Sequence, residues 1–124
     1  MAMKWISTHC DKVAFILKSD DDIIIDTFKL LQHLHQVAAH SQPRRTIFCK
    51  MYSHMPAIRE KKNKWYISEE EYSLKHFGKY CSGSAFILTP DLTRDMYNVS
   101  SYIKFVWVDD YYVTGLLIRA SNGR

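Results

Sequence analysis

The sequence predicts an α/β fold, and three observations predict it. Short apolar runs recur along the chain: Val13–Leu17, Ala85–Leu88 and Phe105–Val108. Runs of this length bounded by polar residues read as strands, and a run with no polar alternation reads as a strand buried on both faces, as in the middle of a parallel sheet. Each run is followed by a segment with helix-start chemistry or helical spacing of apolar residues. Acidic residues cluster directly after two of the runs, at Asp20, Asp21 and Asp22 and again at Asp109 and Asp110. Open α/β sheets collect their ligands at the carboxyl ends of strands, which is where these clusters would lie.

The elements follow in order. Trp5 and Ile6 are candidate core anchors ahead of the first strand. After the aspartates, Asp26 reads as an N-cap, and Phe28, Leu30, Leu31, Leu34, Val37 and Ala38 hold helical spacing as far as His40, before Pro43. His33, His35 and His40 include no helical H-x-x-x-H pair and read as solvated surface residues. Thr46–Tyr52 is a strand candidate. Arg59–Lys64 (REKKNK) is a basic stretch, and Trp65-Tyr66-Ile67 reads as a short strand. Ser68 and Glu71 have the spacing of a capping box. Gly78–Ser84 (GKYCSGS), with two glycines, reads as a loop able to approach a ligand closely. Thr89, Pro90 and Asp91 supply a cap, an N1 proline and a first-turn acid for a helix running to about Val99. Phe105–Val108 reads as a buried strand, and Val113, Leu116, Leu117 and Ala120 as a helix with Asp109 or Asp110 at its start.

The chain has 124 residues, the size of one domain, and its 47% hydrophobic and 14% aromatic content suits a packed core. A formal net charge of +4 permits contact with phosphate groups without requiring it. Cys10, Cys49 and Cys81 contain no C-x-x-C pair. They fit either one disulfide with a free thiol or three reduced thiols. No apolar run is long enough for a membrane span and no signal peptide is visible, so the Asn98-Val99-Ser100 sequon matters only if the chain enters the secretory pathway.

The acidic clusters carry the chemistry. Three consecutive carboxylates repel one another and are more easily tolerated around a cation; alternate side chains of an extended chain would let Asp20 and Asp22 face one ion, and their hard oxygens suit Mg²⁺ or Mn²⁺. A polar turn leading into the next helix is the other reading. Capping explains one of Asp109 and Asp110 and leaves the other to point elsewhere. No P-loop, dinucleotide fingerprint or nucleophile elbow is present. Acidic pairs without a Cys or Ser nucleophile point to metal-assisted phosphate chemistry or to acid/base work on sugars.

Five blocks, LKSDDDIIID, QPRR, PAIREKKNKWYISEEEY, KYCSGSAFILTPDL and VDDYYVTGLL, occur in the order and approximate spacing of the β-1,3-galactosyltransferases, glycosyltransferase family 31. The chain resembles that family from Trp5 to about Ile118. The resemblance implies a partial GT-A (nucleotide-diphospho-sugar transferase) fold, a mixed sheet flanked by helices. Residues 1–124 would be the central part of one catalytic domain, with anchor, stem and both domain ends missing. It implies a hexosyltransferase that moves galactose or N-acetylglucosamine from a UDP-sugar donor to a hydroxyl of a glycan acceptor, on glycoprotein or glycolipid, in a β-1,3 linkage with inversion. On this resemblance the triple aspartate matches the DxD motif, with Asp20 and Asp22 holding Mn²⁺ (or Mg²⁺) and Lys18, Asp20 and Asp21 on the donor side. Asp110 matches the general base; Arg59, Lys64, Trp65, Tyr80, Gly83 and Asp109 match substrate-lining positions. Golgi residence on the lumenal side would follow, with membrane attachment only through a parent-chain anchor.

The sequence departs from the family pattern at Ile24, where an aromatic is common, at His76-Phe77-Gly78-Lys79, where a Pro-Pro turn is frequent, and at Asp109, where Glu is usual. No histidine aligns with the family's downstream metal ligand. A sheet lacking neighbouring strands would leave apolar faces open, so weak stability, aggregation and poor activity are expected of the chain alone. The alternative is a non-catalytic truncated member that binds a partner or glycan. Nucleic-acid binding through Arg44, Arg45, Lys61, Lys62, Lys64 and Trp65 is disfavoured, because the acidic clusters would repel the backbone.

Overall fold

The computed structural model describes residues 2–10 and 12–123. The sheet has three strands in the order β1 (Ile16–Ser19), β3 (Tyr80–Leu88), β2 (Ile47–Tyr52), and both pairings are antiparallel. This corrects two expectations. The apolar run at Val13–Leu17 does not make a central parallel strand: β1 begins only at Ile16 and lies at an edge, with Val13 and Leu17 each 42% exposed. The sheet is antiparallel among the described residues rather than mixed. A continuous apolar run reports burial, and here two faces are only partly covered.

The centre of the sheet is the segment read from sequence as a loop. Residues 80–84 form the first half of β3, and Phe86 and Leu88 on the same strand are buried. The glycine and serines there carry local turn chemistry, yet β2 pairs with Tyr80 and Cys81 and the Asp20 N–H bonds to the Ser84 carbonyl, which hold the segment extended. A disulfide joins Cys49 of β2 to Cys81 of β3, leaving Cys10 free.

Helices lie on both faces of the sheet without fully covering them. On one side lies α2 (Thr27–Ser41), capped as expected by Asp26, whose carboxylate accepts the Lys29 N–H at 3.0 Å. Only Leu34 of this helix is buried. Phe28, at 86% exposed, and Leu31, at 54%, leave its apolar stripe open. On the other side α1 (Ala2–His9) packs against α3 (Pro90–Ser100). Trp5 is not a core anchor: it stacks on His9 at the surface. α3 starts at Pro90 as expected, but the Thr89 hydroxyl does not cap it and instead accepts the Thr46 N–H at 3.0 Å. The C-terminal helix is π-helical over Tyr111–Leu117 and continues as α4 (Ile118–Asn122).

Two apolar clusters result. Phe86, Leu88, Leu92, Met96, Val99 and Leu117 fill the space between sheet, α3 and the C-terminal helix. Ala57, Ile67, Tyr72, Phe77, Val106, Val108 and Tyr111 form the second, between the long β2–β3 connection and the π-helix. Phe105–Val108 is therefore not a strand: Val106 and Val108 are buried in irregular backbone. Trp65-Tyr66-Ile67 likewise forms one bridge, Ile58 to Tyr66, rather than a strand. The Ser68–Glu71 capping box closes as expected, with the Ser68 N–H and hydroxyl both donating to the Glu71 carboxylate.

Candidate active site

The end of β1 brings the first acidic cluster against the middle of β3. The Asp20 N–H donates to the Ser84 carbonyl at 2.9 Å, extending the β1–β3 ladder by one rung. Residues 21 and 22 then turn away into solvent, so the polar turn and the exposed acidic cluster are the same piece of structure. The Lys18 ammonium pairs with Asp20 Oδ1 at 2.6 Å and also donates to the Gly83 carbonyl.

The second cluster meets the same strand residue from the other side. Asp110 opens the C-terminal helix, and its Oδ2 accepts the Gly83 N–H at 2.9 Å. It does not cap its own helix. Its backbone is located by Thr114, whose buried hydroxyl donates to the Asp110 carbonyl at 2.6 Å while accepting the Cys81 N–H at 2.8 Å. The carboxylate lies so close to Gly83 that any Cβ there would overlap it. No described glycine has a positive φ, so the requirement at 83 is close approach and not a special backbone angle.

Burial pushes the Asp110 carboxyl above its ordinary range, and the neighbouring Asp109 pushes it further; the Gly83 N–H and Lys18 pull it back, while Asp20 opposes them. Burial also raises the Tyr80 phenol, reinforced by Asp110 and Tyr52. Asp110 and Tyr80 line a cavity of about 360 Å³ with Trp65, Phe77, Tyr52 and Ser82. Trp65 is 46% exposed at its wall and stacks on Trp107, with ring centres 6.0 Å apart. An aromatic-walled cavity with one carboxylate and a few hydroxyls offers flat apolar faces and hydrogen-bond acceptors together.

The sequence-predicted residues thus divide. Asp110, Tyr80 and Trp65 share the cavity, and Gly83 bonds to Asp110 directly, Lys18 reaches it through the Gly83 carbonyl, and Asp20 through Lys18. Asp21 and Asp22 stand exposed beside Asp20. Asp109 lines a smaller neighbouring hollow with Lys18 and Asp110. Lys64 lies over the Trp65 ring at 5.0 Å. Arg59 is away from the cavity lining and donates to the carbonyls of Ile67 at 2.6 Å, Tyr72 at 2.6 Å and Leu74 at 3.0 Å, pinning the β2–β3 connection. Sequence reasoning missed Tyr52, Phe77 and Thr114. Only their place in the folded chain singles them out.

Among the described residues no three His, Cys, Asp or Glu side chains converge to hold a metal ion by themselves. The donors present still suit a hard divalent cation. Mg²⁺-like ions are commonly held by one or two carboxylates, with substrate phosphates and water completing the shell, and Asp20 and Asp22 are exposed carboxylates of that kind. No described helix is long and apolar enough to cross a membrane.

Comparison with known proteins matches residues 1–122 to the galactosyltransferase family. The chain is 29% identical over 119 residues to beta-1,3-galactosyltransferase 1 of Mus musculus and of Homo sapiens, covering 96% of this chain and 36% of each relative. It is 30% identical over 115 residues to beta-1,3-galactosyltransferase 5 of Mus musculus, covering 91% of this chain and 36% of the relative. It is also 30% identical over 112 residues to UDP-GlcNAc:betaGal beta-1,3-N-acetylglucosaminyltransferase 7 of Rattus norvegicus, covering 90% of this chain and 27% of that protein. The chain spans about a third of the length of the first of these relatives.

Proposed function

The chain belongs to the galactosyltransferase family, and from that premise we propose that it supplies the catalytic centre of a β-1,3-hexosyltransferase that uses a UDP-sugar, carrying galactose or N-acetylglucosamine, and a glycan hydroxyl as acceptor. The observation that carries the reading is the position of Asp110. Its carboxylate opens into the aromatic cavity and is tied through Gly83 to the Lys18–Asp20 cluster. A donor held at the acidic turn and an acceptor held in the cavity would meet beside it.

In this mechanism Trp65 and Tyr80 present ring faces to the acceptor sugar. Asp110 accepts the proton of the attacking hydroxyl as the oxygen bonds to the anomeric carbon from the face opposite UDP, which inverts that centre. A raised carboxyl is the better base for this, and a positioned base typically contributes about 10²–10⁴-fold. Asp20 and Asp22 would hold Mn²⁺ or Mg²⁺, which when bound neutralises charge on the departing diphosphate. The Cys49–Cys81 disulfide suits an oxidising compartment and supports a lumenal Golgi setting.

The test is thermal unfolding of the chain with UDP, with and without Mn²⁺. A ligand present at 100 times its dissociation constant stabilises by about 2.7 kcal/mol. The expected result is a rise in Tm that requires both ligands and is abolished in Asp22→Ala. An unchanged Tm in every combination would refute a donor site at the acidic turn.

A further inference from the structure

We infer that Lys18 is a positioning residue: it holds the backbone of Gly83 by its carbonyl, and through that residue the Asp110 carboxylate bonded to its N–H, so that the acidic turn and the cavity carboxylate are linked through one residue of β3. The inference rests on the reading of Asp110 as the base. It departs from the expectation that Lys18 contacts the donor.

The reason lies in what satisfies Gly83. The β1–β3 register pairs Ala85 to Leu88, and the β2–β3 register jumps from Phe86 to Cys81 across an irregularity. Gly83 falls outside both ladders although it is buried. Its two backbone groups are taken by charged side chains instead: the carbonyl by Lys18, the N–H by Asp110. A buried carbonyl without a partner is costly, so the Lys18 ammonium fills a place that a strand would otherwise fill. Lys18 is built for this. It lies opposite Phe86 in the register, its ammonium sits 5.7 Å from the centre of that ring, and it pairs at the same time with Asp20. An ammonium has three donors, and two are already directed at protein oxygens. Loss of Lys18 would release the Gly83 carbonyl, free the two backbone torsions of that glycine, and let the preceding peptide, which carries the Gly83 N–H, shift away from Asp110. The acidic turn would keep its carboxylates.

The experiment compares Lys18→Met, which keeps the length of the stem, and Lys18→Arg with the wild-type chain. Backbone amide hydrogen exchange is read at Gly83 and at Cys81, whose N–H is held by Thr114. In Lys18→Met, exchange at Gly83 should speed up by about tenfold or more while Cys81 stays within about twofold. The UDP dissociation constant in excess Mn²⁺ should stay within about threefold of wild type. Turnover at saturating donor should fall by about tenfold or more with little change in donor KM, and Lys18→Arg should recover part of both losses. Unchanged exchange at Gly83 would overturn the inference, as would equal acceleration at Gly83 and Cys81. So would a large loss of UDP affinity with Gly83 exchange intact, which is the signature of a donor contact. If the wild-type chain neither binds UDP nor transfers sugar, the functional reading fails, and the exchange comparison still decides whether Lys18 holds Gly83.

Discussion

Replacing Gly83 by alanine tests the geometry at the centre of the site. A Cβ at this position would fall inside the contact distance of both Asp110 carboxylate oxygens, so the carboxylate must move by roughly 1 Å or more. That movement breaks the 2.9 Å bond from the Gly83 N–H. A hydrogen bond to a charged group contributes about 1.5–3 kcal/mol. The methyl group recovers about 0.5–1 kcal/mol, because alanine loses less chain entropy than glycine in a strand. The net loss is about 0.5–2.5 kcal/mol, and at roughly 4 °C per kcal/mol for a domain of this size Tm should fall by about 2–10 °C. Transfer should fall further than stability, by about 10²-fold, since a base displaced by 1 Å no longer reaches the acceptor proton. Differential scanning calorimetry and a UDP-release assay read the two effects. Gly123→Ala is the control, because its nearest atoms would lie 3.9 Å away, an ordinary contact. If Gly83→Ala matches Gly123→Ala in both assays, the close approach of Asp110 to β3 is wrong and the proposed link between the two acidic clusters fails with it.

Three further outcomes follow from the same structure. Asp110 has a raised folded-state value, so the stability it contributes is full below the ordinary carboxylate range and is lost as pH rises through the folded value. Asp110→Asn should therefore show a higher Tm than wild type at pH 7, a difference that vanishes toward pH 3, while transfer drops by about 10²–10⁴-fold. Reducing the Cys49–Cys81 bond, which spans a sequence separation of 32, should cost about 3–4 kcal/mol in denaturant unfolding. Arg59→Met leaves the Ile67, Tyr72 and Leu74 carbonyls without their guanidinium; a loss of about 2–4 kcal/mol is expected, with faster proteolysis between residues 60 and 76, and Arg59→Lys should recover only part of it because an ammonium lacks the planar fork.

What could be read from sequence was what local chemistry decides. The Asp26 cap, the Pro90 helix start and the Ser68–Glu71 box each involve residues within three positions of one another; the cap and the box form, and the helix starts at Pro90 although Thr89 does not cap it. What could not be read was decided by partners far along the chain. Tyr80–Ser84 carries the signature of a loop, yet it extends the central strand, because β1, some 60 residues earlier, pairs with Ala85–Leu88 and β2 pairs with Tyr80 and Cys81 as well as with Phe86–Leu88. Phe105–Val108 carries the signature of a strand, yet it finds apolar partners without finding a ladder. The π-helical start of the last helix has no signature in spacing, since Val113, Leu116, Leu117 and Ala120 fit an α-helix equally well. The site combines both kinds of information. Its acidic residues stand out because carboxylates side by side demand a reason. The residue that joins them, Gly83, looks in sequence like half of a turn, and its purpose is visible only once an aspartate 27 residues later arrives against its missing side chain. Glycines within predicted strands or loops beside an acidic motif are therefore worth testing for close approach before they are read as turns.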